Sequence, residues 1–164
     1  MTETQQPVLP LPPDAGAEPH AKIRRVLDYW RGLAPAPGLL PGRQHVDPVD
    51  VPDLLPHLWL IDVVRGDRTR YRFRLIGGEI LDAGAPMRRG MFLDELGERI
   101  DQAEAHGIFD AVLRAHLPDW RRGQSIITHS RYVASVERII LPLAADGRMV
   151  DMLLGATVFY RREF

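Results

Sequence analysis

Serine and histidine are the first candidates for nucleophile and base in this sequence. Ser125, Ser130 and Ser135 lie close together, but none belongs to a G-x-S-x-G elbow. His129 and Ser130 are adjacent on a segment that reads as a strand. Their side chains therefore point to opposite faces and do not form a base–nucleophile pair. The remaining histidines are His20, His45, His57, His106 and His116. No two of the six stand at i,i+4 and none lies in H-E-x-x-H, so a metal centre would have to assemble from distant segments. The sequence has no cysteine, which excludes disulfides, thiolate zinc sites and cysteine nucleophiles.

The carboxylates nearest to apolar segments are Asp62 and the pair Asp94-Glu95. Adjacent carboxylates on a helix diverge by about 100° and do not make an acid/base pair, so Asp94 reads as a cap or turn residue. Gly77-Gly78-Glu79 is no phosphate loop, because no G-K-[ST] follows it. Arg70, Arg72 and Arg74 form a cationic stripe, either an anion surface or the solvated side of a strand. The second reading is preferred. The chain holds 20 Arg against one Lys (Lys22) and no Asn, the mark of a GC-rich, bacterial genome in which arginine is the default surface cation. The net charge is −1, which removes the diffuse electrostatic case for nucleic acid.

These residues must be positioned by a small number of elements. At 164 residues the chain fits one domain with a single core. Residues 1–20 carry five prolines and neither the basic start nor the apolar stretch of a secretory signal, so a disordered Pro-rich tail and a cytoplasmic location are expected. Residues 21–34 form an amphipathic helix with Ile23, Val26, Leu27, Trp30 and Leu33 on one side. A Pro/Gly linker follows, and Asp47 and Asp50 beside Pro48 and Pro52 signal short helical turns.

Residues 58–64 and 70–76 read as a hairpin turning at Gly66-Asp67, with Tyr71, Phe73 and Leu75 on the buried side. The stretch 79–107 is mixed and broken by glycines. A clearer helix carries Ile108, Phe109, Val112, Leu113 and His116 and ends near Pro118. Three further strands are expected over 124–133, 137–143 and 149–160, the last two joined by a tight hairpin at Asp146-Gly147. The last strand is mostly apolar on both alternating sets, so it is central and covered on both faces. The fold class is therefore α+β, a five-stranded antiparallel sheet with helices on one face and the N-terminal helix on the other.

At this point the sequence resembles a PAS domain of the short bacterial type common in alphaproteobacteria. The matching stretches are Tyr29-Trp30, Pro41-Gly42-Arg43 with Asp47-Pro48, and Leu54-Leu55-Pro56-His57-Leu58. Arg72 to Gly77, Gly90 to Leu96, and Glu137 to Leu143 with Asp146-Gly147 complete the set. The resemblance covers residues 21–160, with residues 35–164 as the sensory domain proper. It implies strand order 2-1-5-4-3, a small-molecule cavity between sheet and helices, and a sensory or regulatory role. The missing nucleophile motifs weigh against a small enzyme, so a non-enzymatic module is expected. Such domains bind haem, flavin, small metabolites or nothing. The absent cysteine removes flavin-adduct photochemistry and thiol-attached chromophores, no histidine is marked as a haem ligand, and the cofactor stays unknown.

The resulting expectation is a cytoplasmic regulatory module. A small apolar or amphipathic ligand would be held by Tyr71, Phe73, Leu75, Phe92, Phe109, Val112, His129 and Met152, with Tyr71 or His129 as the polar contact. Output would pass through an unidentified signalling protein or a homodimer, without nucleic acid or membrane. The helix stripe of Ile23, Val26, Leu27 and Trp30 would dock on its own sheet, on a second copy, or on both. The alternative is a ligand-free protein–protein interaction module, since Phe73, Phe92, Phe109, Met91 and Met152 are large enough to fill a small interior.

Overall fold

The computed structural model, which describes residues 18–125 and 131–163, has five strands, with period-two alternation clearest over 70–76. They are β1 (Leu58–Val64), β2 (Arg70–Ile76), β3 (Asp119–Gly123), β4 (Val133–Leu143) and β5 (Met152–Arg161), in the antiparallel order β2-β1-β5-β4-β3. The helices are α1 (Ala21–Gly32), α2 (Gly78–Asp82) and α3 (Gln102–Ala115), with short 3-10 turns that include Pro48–Asp50 and Leu93–Arg99. The Pro-rich tail expected over 1–20 lies almost wholly outside the described residues.

Both faces of the central strands are covered, as the largely apolar β5 requires. On one face Met152, Leu154, Ala156 and Val158 meet Leu58, Leu60, Ile139 and Leu141 beneath α1. On the other face Ile61, Val63, Tyr71, Phe73, Ile140 and Leu153 pack against α2, the 3-10 segment and α3. Each fully buried aliphatic side chain in these layers contributes roughly 1.5–3 kcal/mol relative to exposure.

The amphipathic spacing of α1 puts Ile23, Val26, Leu27 and Trp30 against β4 and β5. Two polar contacts fix the helix at its ends. The Trp30 indole N–H donates to the Pro142 carbonyl at 2.9 Å, and the His20 backbone N–H donates to the Glu137 carboxylate at 2.8 Å. Helix α3 begins at Asp101, whose carboxylate accepts from the Glu104 N–H, and ends at His116 in the left-handed conformation (φ 57°). The Asp101 cap explains why α3 starts well before the apolar residues that first reveal it.

Three sequence expectations are corrected. The third strand is Asp119–Gly123, not 124–133; Gln124 and Ser125 are outside any strand and residues 126–130 are not described. β3 pairs only with β4, so it is an edge. Three of its five residues are charged, and an edge strand of that composition shows no apolar alternation. The β4–β5 connection is eight residues long (144–151) rather than a tight hairpin, although Gly147 does take positive φ (81°). The loop is longer because Ala144 and Gly147 are tied to the linker: the Ala144 N–H donates to the Pro41 carbonyl and the Leu40 N–H to the Gly147 carbonyl. The third correction is a β-bulge in β2. Leu60 pairs with Leu75 and Ile61 with Phe73, which leaves Arg74 as the extra residue. The bulge reverses the alternation, so Leu75 shares the α1-side face with Leu60.

Candidate functional site

Between sheet and helices the structure brings together four of the expected residues, Tyr71, Phe73, Phe109 and Val112, all buried. The Tyr71 and Phe109 rings meet edge to face with centroids 5.0 Å apart. A residue that was not expected there completes the cluster. Trp59 on β1 lies 6.0 Å from Phe109, and its indole N–H donates to the Thr157 hydroxyl at 3.0 Å. Its signal was present in the sequence: Leu58 and Leu60 alternate with Trp59 and Ile61, so a strand covered on both faces puts Trp59 with Ile61.

The other expected ligand residues lie elsewhere. Leu75 is turned away by the bulge and is 36% exposed. Met152 pairs with Leu143 and belongs to the layer beneath α1. Phe92 sits at the outer side of β2, bridged to Arg72, with the Arg70 guanidinium 3.7 Å above its ring. Arginine stacking holds the ring on the cationic side of β2, not the core side. His129 lies outside the described residues, as does Ser130. The stripe Ile23, Val26, Leu27 and Trp30 takes the first of its two candidate surfaces, its own sheet, and is buried there.

Next to the Tyr71 cluster an open cleft of about 620 Å³ separates the β1–β2 loop from α3. The loop supplies Arg65, Arg68 and Thr69; α3 supplies His106, Asp110, Leu113 and Arg114; Asp94 closes one side. Tyr71 links core and cleft, because its ring is fully buried while its hydroxyl donates to Asp110 at 2.5 Å. Burial first, and then the Asp110 carboxylate, hold the phenol far above its usual range, so it stays protonated.

Asp94 is not a cap. It accepts a bidentate pair from Arg70 (2.7 and 2.9 Å), and the Arg70 hydrogen bond holds its carboxyl below the usual range. The cap of Leu93–Arg99 is formed instead by Glu95, which accepts from the Phe92 N–H. Arg72 and Arg74 both reach Asp62, at 3.2 and 3.5 Å. The arginine stripe is therefore neutralised in part by carboxylates of its own chain. Arg65 and Arg114 have no carboxylate within ion-pair distance among the described residues. The His106 Nδ1 donates to the Gln102 carbonyl at 2.8 Å, which leaves Nε2 as the acceptor of the neutral ring.

A second polar cluster was not anticipated. Glu137 on β4 is fully buried and accepts from the Trp120 indole (2.9 Å), Arg122 (2.8 Å), the Tyr160 hydroxyl (2.7 Å) and the His20 N–H (2.8 Å). Burial pushes its carboxyl upward, but Arg122, Tyr160, His20 and Trp120 together outweigh that and hold it below the usual range. Among the described residues no group of three His, Asp or Glu side chains converges to hold a metal ion. The cleft offers three guanidiniums, one imidazole and two engaged carboxylates.

The PAS domain family model matches residues 18–158, most of the chain, from before α1 into β5. With the strand order β2-β1-β5-β4-β3, the chain belongs to the PAS domain family. PAS domains are generally sensory or regulatory modules and not catalysts. No curated protein and no solved structure is significantly similar to this chain. No described helix is long and apolar enough to cross a membrane.

Proposed function

We propose that this chain is a regulatory module that senses a small polar or anionic molecule in the cleft between α3 and the β1–β2 loop. The observation that carries this reading is the Tyr71–Asp110 contact. It joins a buried ring of the sheet-side core to a carboxylate on the cleft wall. A ligand whose anionic group engages Arg65 and Arg114 displaces charge next to Asp110. The Tyr71 hydroxyl then transmits the change into the packing of α3 on the sheet. This modifies the expectation of an apolar ligand in the interior, where Trp59, Tyr71, Phe73 and Phe109 already occupy the space between the layers.

Output passes to a protein partner or a second copy. A homodimer built on Ile23, Val26, Leu27 and Trp30 requires α1 to leave its own sheet and exchange between copies. The same ring packing supports the second reading, a ligand-free interaction module.

Native mass spectrometry of the purified full chain, with its visible absorbance, separates the two readings. The sensing reading expects a non-covalently retained small molecule, or a metabolite-induced rise in melting temperature, that is lost in Arg65→Ala/Arg114→Ala. Bare protein mass, flat absorbance and no thermal response to a panel of polar metabolites would overturn it in favour of the interaction module.

A further inference from the structure

On its outer face the sheet packs beneath α1 with residues of β1, β4 and β5, and at β2 that face opens into a cleft of about 620 Å³. The floor of this cleft is apolar: Leu60, Leu75, Ile76 and Leu81. Two of these are unusually open for leucines, Leu75 at 36% and Leu81 at 43%. The bulge at Arg74 is what places Leu75 there, since an unbroken β2 would have sent it into the core. The rim is cationic: Arg43, Arg74, Arg88 and Arg89, with no carboxylate among the lining residues. Among the described residues only Arg74 reaches an acid, Asp62 at 3.5 Å, and it shares that acid with Arg72. Arg43 and Arg88 donate to carbonyls, of Val46 and Met87.

We propose that this cleft binds a small amphipathic anion, a carboxylate, sulfonate or phosphate attached to an alkyl chain or ring system. Its apolar body lies on the two exposed leucines and its anionic head among the arginines. Charge complementarity selects this occupant. An uncharged apolar molecule would leave Arg43, Arg88 and Arg89 without an anion among the described residues, and a cation would be repelled. The volume lies in the range of about 300–1,000 Å³ found for small-molecule sites. The site shares no lining residue with the cleft under α3 and does not depend on the function proposed for that cleft.

Calorimetry with decanoate as the probe, on the full chain, tests this. Saturable binding is expected, weakening as salt is raised and tightening about two- to fourfold per methylene from hexanoate to decanoate. Arg88→Ala/Arg89→Ala should weaken decanoate at least about tenfold through the lost charge-assisted contacts and leave decanol unchanged. Leu81→Gln should weaken both. Decyltrimethylammonium binding as tightly as decanoate, or unaltered binding in the double arginine variant, would overturn the proposal. Loss of decanoate binding in Arg65→Ala/Arg114→Ala, with binding intact in Arg88→Ala/Arg89→Ala, would also overturn it, because the probe would then sit under α3. A lipid source is distinguished by sedimentation with phosphatidylglycerol vesicles at about 0.15 M salt. Co-sedimentation without binding of monomeric decanoate would replace the small-molecule site with a membrane-surface contact.

Discussion

The Trp59 indole lies flat over Gly155, in the volume that a side chain at that position would need. A Cβ built on Gly155 would stand 1.9 Å from the Trp59 ring. The two residues are also paired across β1 and β5, so neither backbone can move away without breaking the ladder. Gly155→Ala should therefore cost about 3 kcal/mol, the upper part of the range for overpacking. In a chain of this size that lowers the melting temperature by about 6–12 °C. Thermal unfolding followed by circular dichroism checks it, and Gly155→Ala combined with Trp59→Phe should recover part of the loss because the ring becomes smaller. An unchanged melting temperature for the single variant would show that the indole has another place to go.

Glu137 gives the chain an acid-sensitive latch. Its carboxylate accepts the His20 N–H at the entrance to α1 and the Arg122, Trp120 and Tyr160 donors. The folded-state pKa lies below the ordinary value of 4.5. A depressed carboxylate pKa stabilises the fold above the unfolded value, and that contribution is lost as pH falls through the folded value. The melting temperature should therefore be steady above about pH 5 and fall below it. Glu137→Gln should cost about 2–3 kcal/mol at neutral pH and flatten the acid limb of the profile. An acid limb unchanged in that variant would assign the sensitivity to other carboxylates.

Residue pattern revealed the layers, and local deviations decided the site. The largely apolar β5 required a cover on each face, and α1 and α3 supply them. Tyr71, Phe73, Phe109 and Val112 lie between sheet and helices because period two on the first part of β2 and the helical spacing on α3 both hold there. Leu75 was misplaced because a bulge inserts one residue, and nothing in Arg72-Phe73-Arg74-Leu75 announces it. Phe92 was misplaced because an aromatic ring reads as core unless the stacking arginine is known to be nearby. Met152 was misplaced because both faces of β5 are apolar, so composition alone does not say which face a given residue takes. Glu137 was passed over because its partners come from β3, β5 and the start of α1, and such convergence is a property of topology rather than of spacing.

Trp30 anchors α1 to the chain's own sheet. Its ring is 6% exposed and its indole N–H is satisfied by the Pro142 carbonyl. Trp30→Ala should destabilise by about 3–5 kcal/mol, a cavity plus a buried carbonyl left without its donor. Deleting residues 1–34 uncovers Leu58, Leu141 and Leu154 together and should drive association, seen as a rise in mass by light scattering. Loss of dimer mass in Trp30→Ala with no loss of stability would show that the indole serves a second copy of the chain instead.

Gly147 tests the β4–β5 connection at a single backbone angle. Its φ of 81° is a conformation that a residue with a side chain adopts only under strain, and a Cβ there would stand 3.3 Å from Leu39. The loop around it is held in place, since the Gly147 N–H donates to the Ala144 carbonyl and its own carbonyl accepts from Leu40. Relaxing φ would break these bonds and free the linker that covers the end of the sheet. Gly147→Val should therefore cost about 1–2 kcal/mol, most of it backbone strain. Gly147→Asn should cost less, because Asn tolerates the left-handed region. Melting temperatures in the order Gly, Asn, Val from highest to lowest are the expected result. Equal values for all three would mean that the loop rearranges at no cost, and the hydrogen bonds to Ala144 and Leu40 would then be too weak to hold the linker on the sheet.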